Sequence, residues 1–249
     1  MIEVRKLAKS FGALQVVRDA NFVARDGEIT GLIGPNGAGK TTMFRLISTI
    51  LRPAHGIMLI DGINAQKEPL AARRRLGILP DLRGLYTRLT AREHLRYAGE
   101  LHGIAGPDLE GRIDELVKTL NMEEFIDRRA RGFSRGQQMK VALGRVLLHR
   151  PHNIMLDEPT NGLDVSTSRA VRDLLRRLRA EGRCILFTSH IMQEVSTLAD
   201  RIVIFSGGRV VLQGTPAELR CATGLADLEE IFMAVTQPAE PVPVLTAAE

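Results

Sequence analysis

The chain has 249 residues, of which 44% are hydrophobic and 4% aromatic, and it contains no tryptophan. This length suffices for one large domain or two modest ones, and the composition excludes a disordered or fibrous protein. The formal net charge is +5 and the pI is near 9.6. A basic balance is compatible with nucleic acid, acidic lipid or a phosphorylated ligand. Acidic residues are interspersed throughout, however, so a solvated arginine-rich surface explains the charge equally well.

Signals for targeting and for disulfide formation are weak. Only two cysteines occur, Cys184 and Cys221, and their spacing fits no metal motif, so we interpret them as incidental thiols in a reducing compartment. The first residues, MIEVRKLAKSFG, lack the apolar segment of a signal peptide. No run of about 18 apolar residues occurs, so the chain is not expected to cross a bilayer. If it works at a membrane, we expect it to dock on a partner.

Strands and helices alternate along the chain. Strands are predicted at IEVRKL, QVVRDANFVAR and EITGLIG, followed by a helix over KTTMFRLISTIL and strands at GIMLIDG and LGILP. From about Gly84 the pattern changes to amphipathic helices at TAREHLRYAGELHG, PDLEGRIDELVKTLNM and SRGQQMKVALGRVLLHR. Strands return at HNIMLDEP, RCILFTSH and RIVIFSGGRVVLQG, with a helix over SRAVRDLLRRLRAEG. This order predicts an α/β core with parallel pairing, interrupted by a helical insert from about Gly84 to Arg150.

A glycine-rich loop, GPNGAGKTT, occupies residues 34–42, between a predicted strand and a predicted helix. Gly34, Gly39, Lys40 and Thr41 match the pattern G-x-x-x-x-G-K-[ST]. Glycines let successive backbone N–H groups point at phosphate oxygens, and the start of the helix adds its positive end. The Lys40 ammonium can neutralise the β- and γ-phosphates, and the Thr41 hydroxyl can ligate Mg²⁺. A random chain of this length matches the pattern about 1% of the time, and the strand–helix context lowers that further.

Two carboxylates end the apolar run IMLDEP at Asp157 and Glu158. Alone, such a pair is more often a set of surface acids after a strand. Together with the glycine loop it predicts a phosphoryl-transfer site, because that chemistry needs both a metal holder and a group that orients water. Asp157 is then expected beside Mg²⁺, and Glu158 is expected to orient or deprotonate the attacking water.

The segment FSRGQ, residues 133–137, opens the last helix of the insert. Ser134 is a plausible N-cap, and its hydroxyl with the Gly136 N–H would form a second anion site at the helix start. Taken alone, this segment is more simply interpreted as a structural N-cap that binds no ligand.

Taken in this order, the segments resemble the ATP-binding subunit of ABC transporters over about residues 1 to 235. The resemblance implies a Walker A loop over residues 34–42, a signature motif at Phe133 to Gln137, and a Walker B strand at 154–157 followed by the catalytic Glu158. It also implies a D-loop, NGLD, ending at Asp164, and a histidine, His190, that contacts the γ-phosphate. The implied ATP-binding residues are Phe11 (stacked on adenine), Gly34, Pro35, Asn36, Gly37, Ala38, Gly39, Lys40, Thr41, Thr42, Ser134, Gly136, Gln137 and Asp164. Lys40, Glu158 and His190 are the implied catalytic set.

Two positions depart from the family pattern. The glutamine usual at the strand end before the insert is replaced by Asp81, which can still meet Mg²⁺ or its water but lacks an amide donor. The implied metal set is therefore Thr41, Asp157 and Asp81. The signature usually reads S-G-G-Q, and Arg135 replaces its first glycine. A side chain at position 135 is compatible with the motif if it points outward.

The resemblance implies an α/β fold: a P-loop NTPase of the ABC ATPase type, with a mixed sheet core, an N-terminal antiparallel β subdomain and a helical subdomain insert. We expect one domain over 1–235, with the RecA-like core and β subdomain in 1–83 and 151–224 and the helical subdomain in about 84–150. The Pro-rich residues 236–249 are expected to be a flexible tail.

The implied activity is ATP hydrolysis with Mg²⁺, by two chains that close head-to-tail on two ATP molecules. We expect the two chains to be identical copies. A separate integral membrane permease is the implied partner, at the cytoplasmic face of the cell membrane. The segments LPDLRGLYTRLTARE and LADLEEIFMAVT most resemble the ATPases of ABC-2 type exporters, in particular the sodium-extruding (Nat) type. Five basic residues near Asp81 could contact the permease or acidic lipid, and an ordinary solvated surface explains them equally well. They are Arg73, Arg74, Arg75, Arg83 and Arg88.

An ABC-type ATPase that acts on nucleic acid or the ribosome remains the alternative. Against it, the chain has no sustained heptads, only one set of motifs, and no basic stripe rich in aromatic residues. We therefore expect no nucleic-acid partner. A binding module that does not hydrolyse is a third option, and Lys40 with Glu158 argues against it.

Overall fold

The computed structural model describes residues 1–81 and 84–237, and the elements below are those of this part of the chain. The strands are β1 (Ile2–Phe11), β2 (Leu14–Ala24), β3 (Ile29–Ile33), β4 (His55–Ile60), β5 (Ile63–Asn64), β6 (Leu76–Leu79), β7 (Asn153–Asp157), β8 (Cys184–Thr188), β9 (Arg201–Ser206) and β10 (Arg209–Gly214). The helices are α1 (Lys40–Ile47), α2 (Pro69–Arg74), α3 (Ala91–Leu101), α4 (Gly106–Leu120), α5 (Arg135–Leu147), α6 (Val165–Ala180), α7 (Met192–Leu198), α8 (Pro216–Thr223) and α9 (Leu228–Thr236).

The strands form two sheets. The N-terminal sheet is antiparallel, with the order β2-β1-β4-β5, and Ile2 pairs with both Ala24 and Ile60. The second sheet has the order β10-β9-β3-β8-β7-β6. Its strands run parallel except β10, which pairs with β9 as an antiparallel hairpin. The mixed sheet core and the antiparallel subdomain predicted from the sequence are both confirmed.

Parallel pairing brings the carboxyl ends of β3, β7 and β8 to one edge of the second sheet. The glycine-rich loop leaves β3 there, and in the β7–β8 register Asp157 lies opposite Thr188. In open α/β sheets, ligands bind outside this edge. The strands themselves are buried on both faces, as their near-continuous apolar runs predict.

The helical insert consists of α3, α4 and α5. Thr90 and Glu93 form a reciprocal capping box at the start of α3, and Ser134 and Gln137 do the same at the start of α5. The insert does not have a core of its own. Leu95, Ile113 and Leu143 belong to the same hydrophobic cluster as Ile154 and Phe187 of the sheet. Insert and core are therefore joined by continuous apolar packing.

Several features differ from the sequence expectations or lie beyond them. The helix predicted over residues 40–51 ends at Ile47, because Thr49 has a φ of 59° and leaves the helical region. Thr236, the first residue of the predicted tail, is the last residue of α9, and buried Ile231 anchors that helix to the core. The rest of that tail from 238 onward, and Arg83, lie outside the described residues. Across the described ranges, no helix combines the length and apolar character needed to cross a bilayer.

Candidate active site

The loop between β3 and α1 needs glycine at two positions for steric reasons. A Cβ at Gly34 would lie 2.0 Å from the carbonyl oxygen of Phe205, so no side chain fits there. Gly39 has a φ of 105° and a Cβ there would lie 2.8 Å from the carbonyl oxygen of Val16. The loop therefore packs backbone against backbone on β9 and β2. It delivers the chain into α1 with the first turn of the helix facing the sheet edge.

Lys40, the first residue of α1, folds back over this loop. Its Nζ donates to the carbonyl oxygen of Gly34 at 2.5 Å and to that of Pro35 at 3.1 Å. Burial lowers the pKa of the Lys40 ammonium, and the nearby charges of Glu158 and Asp157 oppose that shift. The ammonium is thus held at the mouth of the loop by acceptors weaker than phosphate. It can exchange them for phosphate oxygens with a small movement.

Asp157 and Glu158 follow β7 at the same edge, where Thr188 of β8 fixes their geometry. The Thr188 hydroxyl donates to Asp157 Oδ1 at 2.5 Å and accepts from the backbone N–H of Glu158 at 3.0 Å. Burial raises the pKa of the Asp157 carboxyl, and the charge of Asp81 raises it further. The carboxylates of Asp157 and Asp81 therefore lie close enough for their charges to interact, which favours a bound cation between them.

His190 follows β8 and reaches Glu158. Its Nδ1 lies 2.8 Å from Oε2 of Glu158, within hydrogen-bond distance. The Glu158 side chain is mostly buried at 17% exposure, whereas that of His190 is 54% exposed. An imidazole that contacts a partly buried carboxylate and faces solvent can orient that carboxylate and still reach a ligand.

These residues line one cleft of about 400 Å³. The sequence-predicted residues in its lining are Asn36, Gly37, Ala38, Gly39, Lys40, Thr41, Thr42, Asp81, Asp157, Glu158 and His190. Val16 and Asn161 also line it. Neither is among the predicted ATP-binding or catalytic residues, although Asn161 opens the segment NGLD that the resemblance implies to be the D-loop. Val16 carries no motif, and its position follows only from the contact of its carbonyl with the glycine loop. Asn161 stands in the segment NGLD and was available to sequence reasoning.

A larger cavity of about 970 Å³ opens between the core and the insert. Thr41, Asp81 and Asp157 line both this groove and the smaller cleft, so the two cavities meet at these three residues. Size alone would favour the groove as the ligand site. We assign the chemistry to the smaller cleft, because Lys40, Glu158 and His190 line it and the groove lacks them among its lining residues described here.

A second group of predicted residues lies away from the cleft. Within the described chain, the cleft lining does not include Gly34 or Pro35, whose carbonyls accept from Lys40. It also does not include Phe11, Ser134, Gly136, Gln137 or Asp164. Ser134 and Gln137 cap α5, and a Cβ at Gly136 would lie 3.0 Å from the Thr167 hydroxyl of α6. The starts of α5 and α6 therefore adjoin.

Other residues of this second group, and Val165 beside it, lie at the solvent-exposed surface. Asp164 caps α6, and hydrogen bonds from Ser166 and Thr167 hold the pKa of its carboxyl well below the usual range. Phe11 is 48% exposed, and Val165 at the start of α6 is 84% exposed. In the signature segment, Ser134 is exposed and Gly136 and Gln137 are half-buried, and none of the three lines the cleft of the same chain.

The comparison with known proteins decides the family. The family model described as ABC transporter matches residues 17–161, more than half of the chain. The chain belongs to the ABC transporter family. The relatives that match this chain are ATP-binding subunits of that family, and the chain is an ATPase.

Individual relatives agree with this assignment. The ABC transporter ATP-binding protein NatA of Bacillus subtilis is 40% identical over 221 residues, which cover 88% of this chain and 90% of that protein. The Nod factor export ATP-binding protein I of Rhizobium meliloti is 34% identical, over 86% of this chain and 64% of that protein. A solved ATP-binding subunit of an ABC transporter superposes with a TM-score of 0.88 at 32% identity, over 95% of this chain and 100% of that one. A dimeric, post-hydrolysis cassette bound to ADP and Pi superposes with a TM-score of 0.78 at 26% identity, over 86% and 98%.

Arg135, which departs from the signature pattern of the ABC family, points away from the start of α5 toward the D-loop. Its Nη1 donates to the carbonyl oxygen of Gly162 at 3.5 Å, a long hydrogen bond. A cation at the first residue of a helix is unfavourable with the helix dipole, and a carbonyl acceptor offsets part of that cost. Gly162 has a φ of 69°, and a Cβ there would lie 2.2 Å from Arg135 Nη1. The side chain thus spans from the signature segment to the D-loop.

Proposed function

We propose that this ABC ATPase hydrolyses ATP between two chains arranged head-to-tail and uses their closure to drive export through a separate membrane permease. One observation carries the proposal: Lys40, Thr41, Asp157, Glu158 and His190 converge on one cleft, whereas the signature segment lies on the surface of the same chain. A second chain is needed to bring a signature segment to that cleft.

The cleft residues divide the chemistry among themselves. Lys40 and the N–H groups of the loop neutralise the β- and γ-phosphates. Glu158 accepts a proton from the attacking water, and His190 holds Glu158 in position through its 2.8 Å contact and reaches the γ-phosphate. Phe11, exposed at the end of β1, stacks on adenine.

The donor set fits Mg²⁺. The Thr41 hydroxyl and the carboxylates of Asp157 and Asp81 are hard oxygen ligands lining one cleft, and the mutual charge of the two carboxylates favours a cation there. When bound, Mg²⁺ supplies charge neutralisation for the phosphates. Thr41, Asp157 and Asp81 are the residues that would hold it.

The second chain contributes the starts of α5 and α6. Ser134, Gly136 and Gln137 offer a hydroxyl and N–H groups at a helix N-terminus, which suit an anion. Exposed Val165 and the D-loop with Asp164 beside it form an apolar and polar surface for the partner. A dimer of identical chains is the simplest assembly, and the dimeric relative supports it.

The permease is proposed to dock in the larger groove. Exposed apolar side chains, Ile50, Tyr97 and Leu101, line it together with Arg45, Arg73 and Arg145. An apolar floor with basic groups suits an amphipathic segment of a membrane protein at the cytoplasmic face of the cell membrane. Arg73 belongs to the basic group identified in the sequence, and its guanidinium is anchored to Thr49.

The transported substrate is set by the permease. The name of one relative, the Nod factor export ATP-binding protein I, supports export. We propose export, with sodium ion efflux as its specific form, because the segments LPDLRGLYTRLTARE and LADLEEIFMAVT resemble the sodium-extruding type.

Co-purification tests the partner. The tagged chain, expressed in its own organism and extracted from membranes in detergent, is expected to retain an integral membrane protein. A nucleic-acid pull-down across a salt series is the matched comparison, because contacts to a phosphate backbone weaken steeply with salt. Retention of RNA or DNA at low salt, with no membrane protein, would instead support the alternative of an ATPase that acts on nucleic acid.

Asp81 tests the junction between the two cavities. We expect Asp81→Gln to change the stimulation of ATPase activity by the permease by at least about 3-fold, and to change basal activity less, because Asp81 faces both the cleft and the groove. The measurement compares turnover of the chain alone with that of the reconstituted complex. Glu124→Gln, at an exposed glutamate that lines neither cavity, serves as the control for the loss of a negative charge. Equal effects of Asp81→Gln on both activities would remove the coupling role.

A further inference from the structure

Glu194 is a buried carboxylate that the proposed mechanism does not use. It lies on α7, just after the segment that carries His190, and is 6% exposed. Burying a carboxyl group is costly unless its oxygens accept hydrogen bonds. The donors that Glu194 engages therefore indicate its purpose.

Both of its carboxylate oxygens accept a hydroxyl from a catalytic segment. Thr160, two residues after Glu158, donates to Oε1 at 2.5 Å, and Ser189, immediately before His190, donates to Oε2 at 2.9 Å. Both hydroxyl-bearing residues are buried, at 7% and 0% exposure. The Ser189 hydroxyl also accepts the backbone N–H of Ile191 at 3.1 Å. One side chain thus ties the loop after β7 to the loop after β8.

This bridge lies beyond the strand ends, where the sheet no longer holds the two loops together. The last pair in the β7–β8 register is Asp157 with Thr188. Beyond it, Glu158 and His190 contact each other through a single bond of 2.8 Å whose histidine is largely exposed. The Thr188 hydroxyl also holds the backbone of Glu158 to the end of β8. Without a tie further along the two loops, the position of His190 relative to Glu158 would depend on loop backbone.

We infer that Glu194 is a positioning residue that fixes Glu158 and His190 relative to each other by bridging Thr160 and Ser189. The inference rests on the proposed roles of Glu158 and His190. A shift of about 1 Å in catalytic groups reduces turnover by up to about 100-fold. Phosphate binding by the loop at residues 34–42 is separate from this bridge.

The test compares kcat with ligand affinity. Glu194→Gln keeps the shape but replaces one acceptor oxygen with an amide donor, and we expect kcat for ATP hydrolysis to fall at least about 10-fold. The Kd for ADP, measured by calorimetry, is expected to change less than about 2-fold. Thr160→Val and Ser189→Ala each remove one half of the bridge, and each is expected to lower kcat in the same direction. If Glu194→Gln fails to fold, these two variants still measure the effect of the bridge on kcat.

Val195→Ala on the same helix is the control for stability, because Val195 is fully buried but is not part of the bridge. It is expected to lower Tm and leave kcat near the wild-type value. In a His190→Ala background, Glu194→Gln is expected to lose most of its effect, since the two changes act on one unit. A wild-type kcat in folded Glu194→Gln, or an equal loss of kcat in Val195→Ala, would overturn the inference. If Glu158→Gln also left turnover unchanged, the proposed function itself would fail. If Glu158→Gln lost turnover while Glu194→Gln kept it, only the positioning role of Glu194 would fail.

Discussion

Replacing Lys40 with alanine is expected to reduce ATP turnover by at least about 100-fold, close to the detection limit. Lys40 is the cation at the mouth of the glycine loop, and its Nζ already lies on the carbonyls of Gly34 and Pro35. Without it, the charge of the β- and γ-phosphates is neutralised only by backbone N–H groups and any bound cation. A steady-state ATPase assay with a parallel binding measurement checks the result.

The fold should survive this change. Lys40 is held by two backbone carbonyls, and burial already disfavours its charged form. Its removal therefore costs the native state little. Lys67→Ala, at an exposed lysine before α2, is the matched control and should retain activity. Turnover by a folded Lys40→Ala variant at the wild-type rate would refute the assignment of the phosphate site.

Glu158→Gln is expected to retain ATP and lose about 10²–10⁴-fold in turnover, because the amide keeps the size of the side chain but cannot accept the proton of water. The chain should then stay in the closed dimer, since the ATP that bridges the two subunits is not removed. Light scattering or sedimentation with ATP and Mg²⁺ checks the assembly, and release of Pi checks the turnover.

Glu123→Gln, at an exposed glutamate of the insert, is the control for loss of a negative charge. It should leave turnover unchanged and give no ATP-dependent dimer beyond that of the wild type. If Glu158→Gln remains monomeric with ATP at high protein concentration, the head-to-tail arrangement is wrong. If it hydrolyses ATP at the normal rate, another group is the base.

Local sequence patterns predicted most of the core. The strand that precedes the loop at residues 34–42 and the strand that ends at Asp157 are apolar runs bounded by turn residues, and such runs specify buried parallel strands. The capping box at Ser134 and Gln137 was only half foreseen, since Ser134 was identified as the cap and the return bond from Gln137 was not.

Features that depend on tertiary packing were not predictable. The bridge from Glu194 to Thr160 and Ser189 joins residues 34 and 5 positions apart, and nothing local marks the glutamate as buried. The direction of Arg135 depends on the D-loop backbone at Gly162, 27 positions away. The short helix α7 was not predicted from the sequence, and its buried residues are Glu194, Val195 and Leu198.

The backbone at Glu158 has a φ of 49°, a left-handed conformation that glycine adopts freely and that costs other residues about 1 kcal/mol or more. Selection for heat tolerance alone would therefore favour glycine at this position, whereas the proposed catalytic role of Glu158 requires the carboxylate. Stability and activity then oppose each other at this residue. A screen for thermostable variants of this enzyme therefore needs an activity assay to exclude inactive ones.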